Sequence, residues 1–201
     1  MPAIRCSSDG LAVFVAAEDV VTGFPVVFQM DAASHLFSSA YGPGVGSAVN
    51  VQSVAANPDK MLFYGNFGTD VVVVSYEIST GLATDISPAG HGAAVVNCAS
   101  VNPSNEDEIN ITINTEQTFR DTSNGGASWI TRDAAMGFNA TALLVLWSSD
   151  YELYRYFAGG ENAALDLEVQ YSPNEGRDTD QLAESTLAAA AAICNIEAIN
   201  G

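Results

Sequence analysis

The stretch TSNGGASW, Thr122 to Trp129, sets a hydroxyl, an amide, two glycines and a tryptophan within eight positions. It follows the pattern Ser/Thr, any, Asp/Asn, any, Gly, any, any, aromatic, which arises by chance in about one or two chains of this length per hundred. Each fixed position suits a hairpin turn. A side-chain oxygen at the third position accepts bonds from backbone amides about two residues on, and a small fifth residue tolerates the tight backbone that follows. The eighth residue then returns an apolar group to the core.

Relatives of this octet recur along the chain. They are QMDAASHL from Gln29, SYEISTGL from Ser75 and SPNEGRDT from Ser172, so that successive starts lie 46, 47 and 50 residues apart. The third position reads Asp31, Glu77, Asn124 and Asn174; the fifth reads Ala33, Ser79, Gly126 and Gly176; the eighth reads Leu36, Leu82, Trp129 and Thr179. The copies agree in chemistry more than in identity.

Flanking segments repeat in the same phase. A short strand pattern precedes each octet (PVVFQ 25–29, VVVVS 71–75, TFRDT 118–122, LEVQYS 167–172), and another precedes that (LAVFV 11–15, MLFYG 61–65, INITI 109–113, ELYRYF 152–157). Earlier still stand VNVQSVAANP 49–58, AVVNCASVNP 94–103 and NATALLVLWSSD 139–150, with the shorter Ala3 to Ser7 in the first copy. Four short strands per 46 to 50 residues is the spacing of propeller blades. The expected fold is therefore all-β: a four-bladed β-propeller-like array of four-stranded antiparallel blades at about 3–43, 49–90, 94–138 and 139–181. The alternative is an irregular β-sandwich with accidental periodicity.

The octet resembles the Asp-box of BNR-like β-propeller repeat proteins. The resemblance covers roughly residues 3–181, and only the third copy carries the full motif. The group includes sialidases, sortilin-like receptors and many non-enzymatic binding proteins. The resemblance thus implies a fold, with Asp31, Glu77, Asn124, Gly126, Trp129, Asn174 and Gly176 as turn-stapling structural positions and no chemistry assigned to them.

The chain has 201 residues, enough for one well-buried domain and too few for two ordinary ones. Lys60 is its only lysine, and six basic residues face 24 acidic ones for a net charge of −18, which argues against a nucleic-acid partner. With 48% apolar residues the composition is that of a folded acidic protein and not a disordered tail. Cys6, Cys98 and Cys194 lie far apart with no C-x-x-C pair, so neither a zinc site nor a disulfide framework is expected, although one bridge stays open. The apolar run Ala12 to Ala17 is too short for a secretory signal and nothing approaches a membrane span. The expected location is the cytoplasm, or a particle assembled there.

Catalytic equipment is sparse. Sialidase-type propellers use an arginine triad and a glutamate-activated tyrosine across six blades, whereas this chain offers Arg5, Arg120, Arg132, Arg155 and Arg177 on four. His35 and His91 are isolated and read as loop or surface residues. GPGVG 42–46 lacks the lysine of a phosphate loop and reads as the connection between the first two blades. Glu106-Asp107-Glu108 has oxygens that suit calcium, and otherwise reads as a solvated acidic loop. WSSDYELYRYF 147–157 is the densest aromatic patch: Trp147, Tyr151, Tyr154 and Tyr156 are candidates for a glycan or protein surface, unless strand alternation turns half of the rings inward. Two sequons, at Asn110 and Asn139, read as coincidence.

LAESTLAAAAA, 182–192, has helix-forming composition, and ICNIEAING, 193–201, resembles the first strand of the second and third repeats. A surplus strand has to pair somewhere. It closes the ring on the chain's own first blade or completes a blade in a second copy, the alternative being a plain helix to about Asn195. The expected function is that of a non-enzymatic structural or assembly protein, with itself or a larger assembly such as a virion as partner, with no cofactor and no membrane. The alternative is a propeller that binds a carbohydrate or protein ligand.

Overall fold

The computed structural model describes residues 3–68, 70–91, 94–113, 118–132, 138–146, 155–162, 167–172 and 180–185. Within them the chain forms four antiparallel sheets of four strands, each joined in sequence order. The first holds β1 (Ala3–Cys6), β2 (Val13–Glu18), β3 (Pro25–Met30) and β4 (Phe37–Tyr41); the second β5 (Ala48–Ser53), β6 (Lys60–Asn66), β7 (Val73–Glu77) and β8 (Leu82–Asp85). The third holds β9 (Val96–Asn102), β10 (Asn105–Ile113), β11 (Thr118–Thr122) and β12 (Ile130–Thr131); the fourth β13 (Phe138–Leu146), β14 (Arg155–Asn162), β15 (Leu167–Ser172) and β16 (Asp180–Ser185).

The central strands are rich in valine, isoleucine and aromatics, which suit a pleated, half-buried surface. Alternation sorts them to two faces. In β2, Phe14 and Ala16 are buried while Val13, Val15 and Ala17 are half-buried on the other side. Phe14 and Ala16 meet Val51, Met61, Phe63, Val74 and Tyr76 of the second sheet. The opposite face of the second sheet sends Leu62 and Val73 against Val96, Ile109, Ile111 and Ile113 of the third. A smaller cluster of Phe119, Phe138, Ala140, Val145 and Ala158 joins the third sheet to the fourth. Each fully buried Phe or Ile contributes about 1.5 to 3 kcal/mol by leaving water, so these clusters hold the sheets face to face.

The sheets follow one another through β1 and β2 against β5, β6 against β9, and β9 and β10 against β13. Among the described residues no packing of like extent joins the fourth sheet to the first. The four sheets therefore form an arc with two end faces.

Several expectations need correction. The helix placed at 182–192 does not begin there, because Leu182 to Ser185 belong to β16, with Ala183 opposite Val169 and Ser185 opposite Leu167. The exposed edge of β15 offers unpaired backbone groups, and satisfying them outweighs the weak propensity of a short alanine-rich segment. Residues 186–201, with the expected closing strand, lie outside the described residues. Glu106, Asp107 and Glu108 form the start of β10 and not an acidic loop. Lys60 holds Glu106 at 3.0 Å, Asn57 donates to the same carboxylate, and Asn102 and Asn105 donate to Glu108. Burial alone would raise the Glu106 carboxyl, but Lys60 and Asn57 outweigh it and hold it below its usual range. Both histidines stand in connections as expected: His35 is exposed in a turn with φ of 55°, and His91, though in a connection, is buried with Nε2 donating to the Asp70 carbonyl at 2.6 Å.

Candidate functional site

The octet turns differ from copy to copy in how they bond. Asp31 Oδ1 accepts the amides of Ala33 (3.1 Å) and Ser34 (2.6 Å) and the Ser34 hydroxyl (2.7 Å), which hold its carboxyl below the usual range, the Ser34 hydroxyl foremost. Asn124 Oδ1 accepts the Ser128 amide at 2.9 Å, and Thr122 Oγ1 takes the amide of Gly126 at 3.1 Å. Glu77 corrects the pattern. Its carboxylate accepts only the Thr80 hydroxyl among the bonds seen, and the Ser79 amide goes instead to Asp59 at 2.8 Å, because the longer side chain overshoots the turn. The eighth position also differs from expectation: Leu36 and Leu82 are 69% and 58% exposed, since they open the outermost region of their sheets.

In the third copy the octet reaches across sheets. Trp129, half-buried, donates its Nε1 hydrogen to the Ile86 carbonyl at 2.8 Å. Gly126 has φ of 92°, and a Cβ there would lie 2.5 Å from Ile86 Cβ, so only glycine lets the turn lie on the second sheet. Replacing Asn124 with alanine is expected to cost about 0.5 to 2 kcal/mol, as for loss of a capping side chain. A urea midpoint equal to that of the parent chain would contradict this role. Asn174 and Gly176 lie outside the described residues.

Of the aromatic candidates, Trp147, Tyr151 and Tyr154 lie outside the described residues. Tyr156 stands in β14, opposite Val145 and Ser172.

Two other surfaces emerge. The first strands of all four sheets converge on a polar cleft of about 290 Å3 that takes in Arg5, Gln52, Ser53, Asn97 and Thr141. Burial pushes Tyr64 and Cys98, which also line it, up to about 12, so both stay protonated at neutral pH. Cys98 Sγ lies 3.6 Å from the Ala140 carbonyl, a weak thiol bond that ties the third sheet to the fourth. Cys6 is free and exposed. Among the described residues no three His, Cys, Asp or Glu side chains converge as a metal site, and no helix is long and apolar enough to cross a membrane. Asn110 is 2% exposed within β10, so its sequon is closed to a modifying enzyme in the folded chain.

The second surface is the far face of the first sheet. Cross-strand register puts Val13 opposite Met30 and Val15 opposite Phe28, with Ile4 beside Val15 and Phe37 beside Met30. None of these carries charge, and Ile4 and Phe37 are 60% and 51% exposed. Phe28 and Met30 stand 46 residues before Val74 and Tyr76, whose cross-strand partners are Phe63 and Met61. Those four residues form the face of the second sheet that is buried against the first. The first sheet thus repeats, half-buried and with no other sheet packed on it among the described residues, the face that receives a preceding blade. Sequence reasoning missed it, although the alternation of apolar residues on both faces of β2 and β3 was there to be read.

No family model matches the chain, and no curated protein matches it. Among solved structures it is similar to a GH74 enzyme of Niastella koreensis (TM-score 0.63, 14% identity, 90% of this chain and 25% of that one). It is also similar to the WD40 repeats of RRP9 (TM-score 0.58, 10% identity, 88% and 47%) and to TolB of Acinetobacter baumannii (TM-score 0.55, 12% identity, 89% and 41%). All three are β-propellers, and this chain is a propeller repeat array that spans less than half the length of each. The exclusion of enzymes drawn from the sequence is corrected by the first of them: an enzyme is built on the same arrangement of sheets, because catalytic groups sit on loops that the blade scaffold does not dictate.

Proposed function

We propose that this chain is a protein-association module of the Asp-box kind, whose end sheets pack against other sheets in a larger particle, a virion being one such setting. The observation that carries this reading is the uncharged far face of the first sheet, where Ile4 and Phe37 stand 60% and 51% exposed in a chain with a net charge of −18. Contiguous apolar surface of this kind marks interaction sites in soluble proteins. A strongly acidic coat keeps the rest of the surface from associating, so contact concentrates on the end faces.

The test is sedimentation of the chain beside an Ile4→Lys/Phe37→Lys variant. The parent is expected to sediment above its own mass of 21.0 kDa, and the variant at that mass with an unchanged melting temperature. A parent that stays at one chain mass and is no less soluble than the variant would overturn the reading. A second reading rests on the polar cleft, where Arg5 is the one cationic lining residue among the described residues and suits a small anionic ligand. Arg5→Ala would then abolish a ligand-induced rise in melting temperature without changing the sedimentation.

A further inference from the structure

We propose that the occupant of the first sheet's far face is the far face of the fourth sheet of a second copy of this chain, so that two arcs close head to tail into a ring of eight blades. This rests on the association reading above and names its partner. Two observations carry it.

The first is the character of the two ends. Inside the arc, every junction joins the forward face of one sheet to the backward face of the next: Phe14 and Ala16 meet Phe63 and Tyr76, and Leu62 and Val73 meet Ile111 and Ile113. Among the described residues no sheet packs on the backward face of the first, which sets the half-buried Val13, Val15, Phe28 and Met30 at the positions of Met61, Phe63, Val74 and Tyr76. Among the described residues no other sheet packs on the forward face of the fourth. Val145 and Ala158 point back toward the third sheet, so Leu144, Phe157, Val169 and Tyr171 stand on the other side, with the Phe157 and Tyr171 rings 4.8 Å apart. One chain therefore carries both halves of one more junction.

The second observation is that the two halves do not meet within the arc, since no extensive packing joins the first and fourth sheets among the described residues. Two faces of opposite sense on one chain make a heterologous contact, which forms either a closed ring or an open fibre. A two-fold axis along the channel makes both new junctions identical and leaves no sheet face uncovered. Eight blades fall within the usual size of propellers, about four to eight.

The test uses the native thiol of Cys6, which register places beside Val13 on the far face of the first sheet. One chain keeps Cys6 and carries Cys194→Ser; the other carries Cys6→Ser, Cys194→Ser and Leu144→Cys, which puts a thiol on the first strand of the fourth sheet. At the first and third junctions of the arc the inner strands of adjacent sheets lie against each other, β1 on β5 and β9 on β13, so a short bismaleimide is expected to bridge the mixed chains and neither chain alone. Native mass measurement is expected to give two chain masses and no larger species. Self-bridging of the Cys6 chain would show that first sheets pair with each other, and a ladder of growing masses would show an open fibre. Either outcome overturns the ring and leaves the association reading standing. Bridging within a single chain that holds both thiols, at one chain mass, would show that the chain closes on itself and would overturn the second copy. A parent at one chain mass that fails to bridge in any mixture would overturn both readings.

Discussion

Replacing Phe63 with alanine is expected to lower folding stability by about 3 to 5 kcal/mol, the range for removing a fully buried phenyl ring. Phe63 has no exposed surface and stands at the junction of the first two sheets, with ring centroids of Tyr76, Phe14 and Tyr41 at 5.1, 6.0 and 6.0 Å. Its loss removes apolar burial and also leaves a cavity that three rings from two sheets cannot collapse into without breaking their own contacts. The measurement is the urea midpoint at constant m-value. Phe37→Ala, on the exposed far face, is the internal control, with an expected change of about 0.5 kcal/mol or less when the chain is measured as a single copy. Equal shifts for the two variants would mean that the junction between the first two sheets does not form.

A second large effect is expected at Gly46, in the connection from β4 to β5. Its φ of 106° is a conformation that side chains rarely adopt, and a Cβ there would overlap the Asn66 carbonyl oxygen and lie 2.7 Å from Phe67 Cα. Both obstacles are backbone, and Asn66 O also accepts the Ser47 amide at 3.0 Å, so neither can move aside cheaply. Gly46→Ala should therefore cost about 2 to 5 kcal/mol from backbone strain and overpacking together. A Gly44→Ala variant is the comparison. That glycine also has positive φ, but nothing lies within 4 Å of its added Cβ, so strain acts there alone and the loss should be about 1 to 2 kcal/mol. Equal losses at the two positions would show that the close approach between the β4–β5 connection and the end of β6 is absent.

Much of the fold was legible because its signals are local. The hydroxyl and amide of Thr122 and Asn124 satisfy turn amides a few residues away, and the same short-range geometry recurs at Asp31. Glu77 broke the pattern for an equally local reason: one extra methylene moves the carboxylate off the amides, and Asp59, from a different turn, replaces it. No spacing rule connects Asp59 to Ser79, because the contact exists only once β6 and β7 pair.

The candidate site was less legible. The aromatic run 147–157 drew attention through its composition, yet composition does not tell a ring that faces a neighbouring sheet from one that faces solvent. The apolar far face of the first sheet looked like ordinary core in the sequence, since Val13, Val15, Phe28 and Met30 read the same whether or not a sheet covers them.

By itself the sequence determined the unit of this protein: four strands and a repeat of 46 to 50 residues, with the turns at Asp31 and Asn124 set by bonds between near neighbours. The tertiary structure alone decided which strand faces are buried. It turned the predicted helix at Leu182 into β16, placed Gly126 and Trp129 on Ile86, and, among the described residues, left no sheet packed on the far face of the first sheet or of the fourth. Burial is a property of what stands opposite a residue, and in a repeat array the partner of the first and last unit is the one thing that the repeat cannot encode.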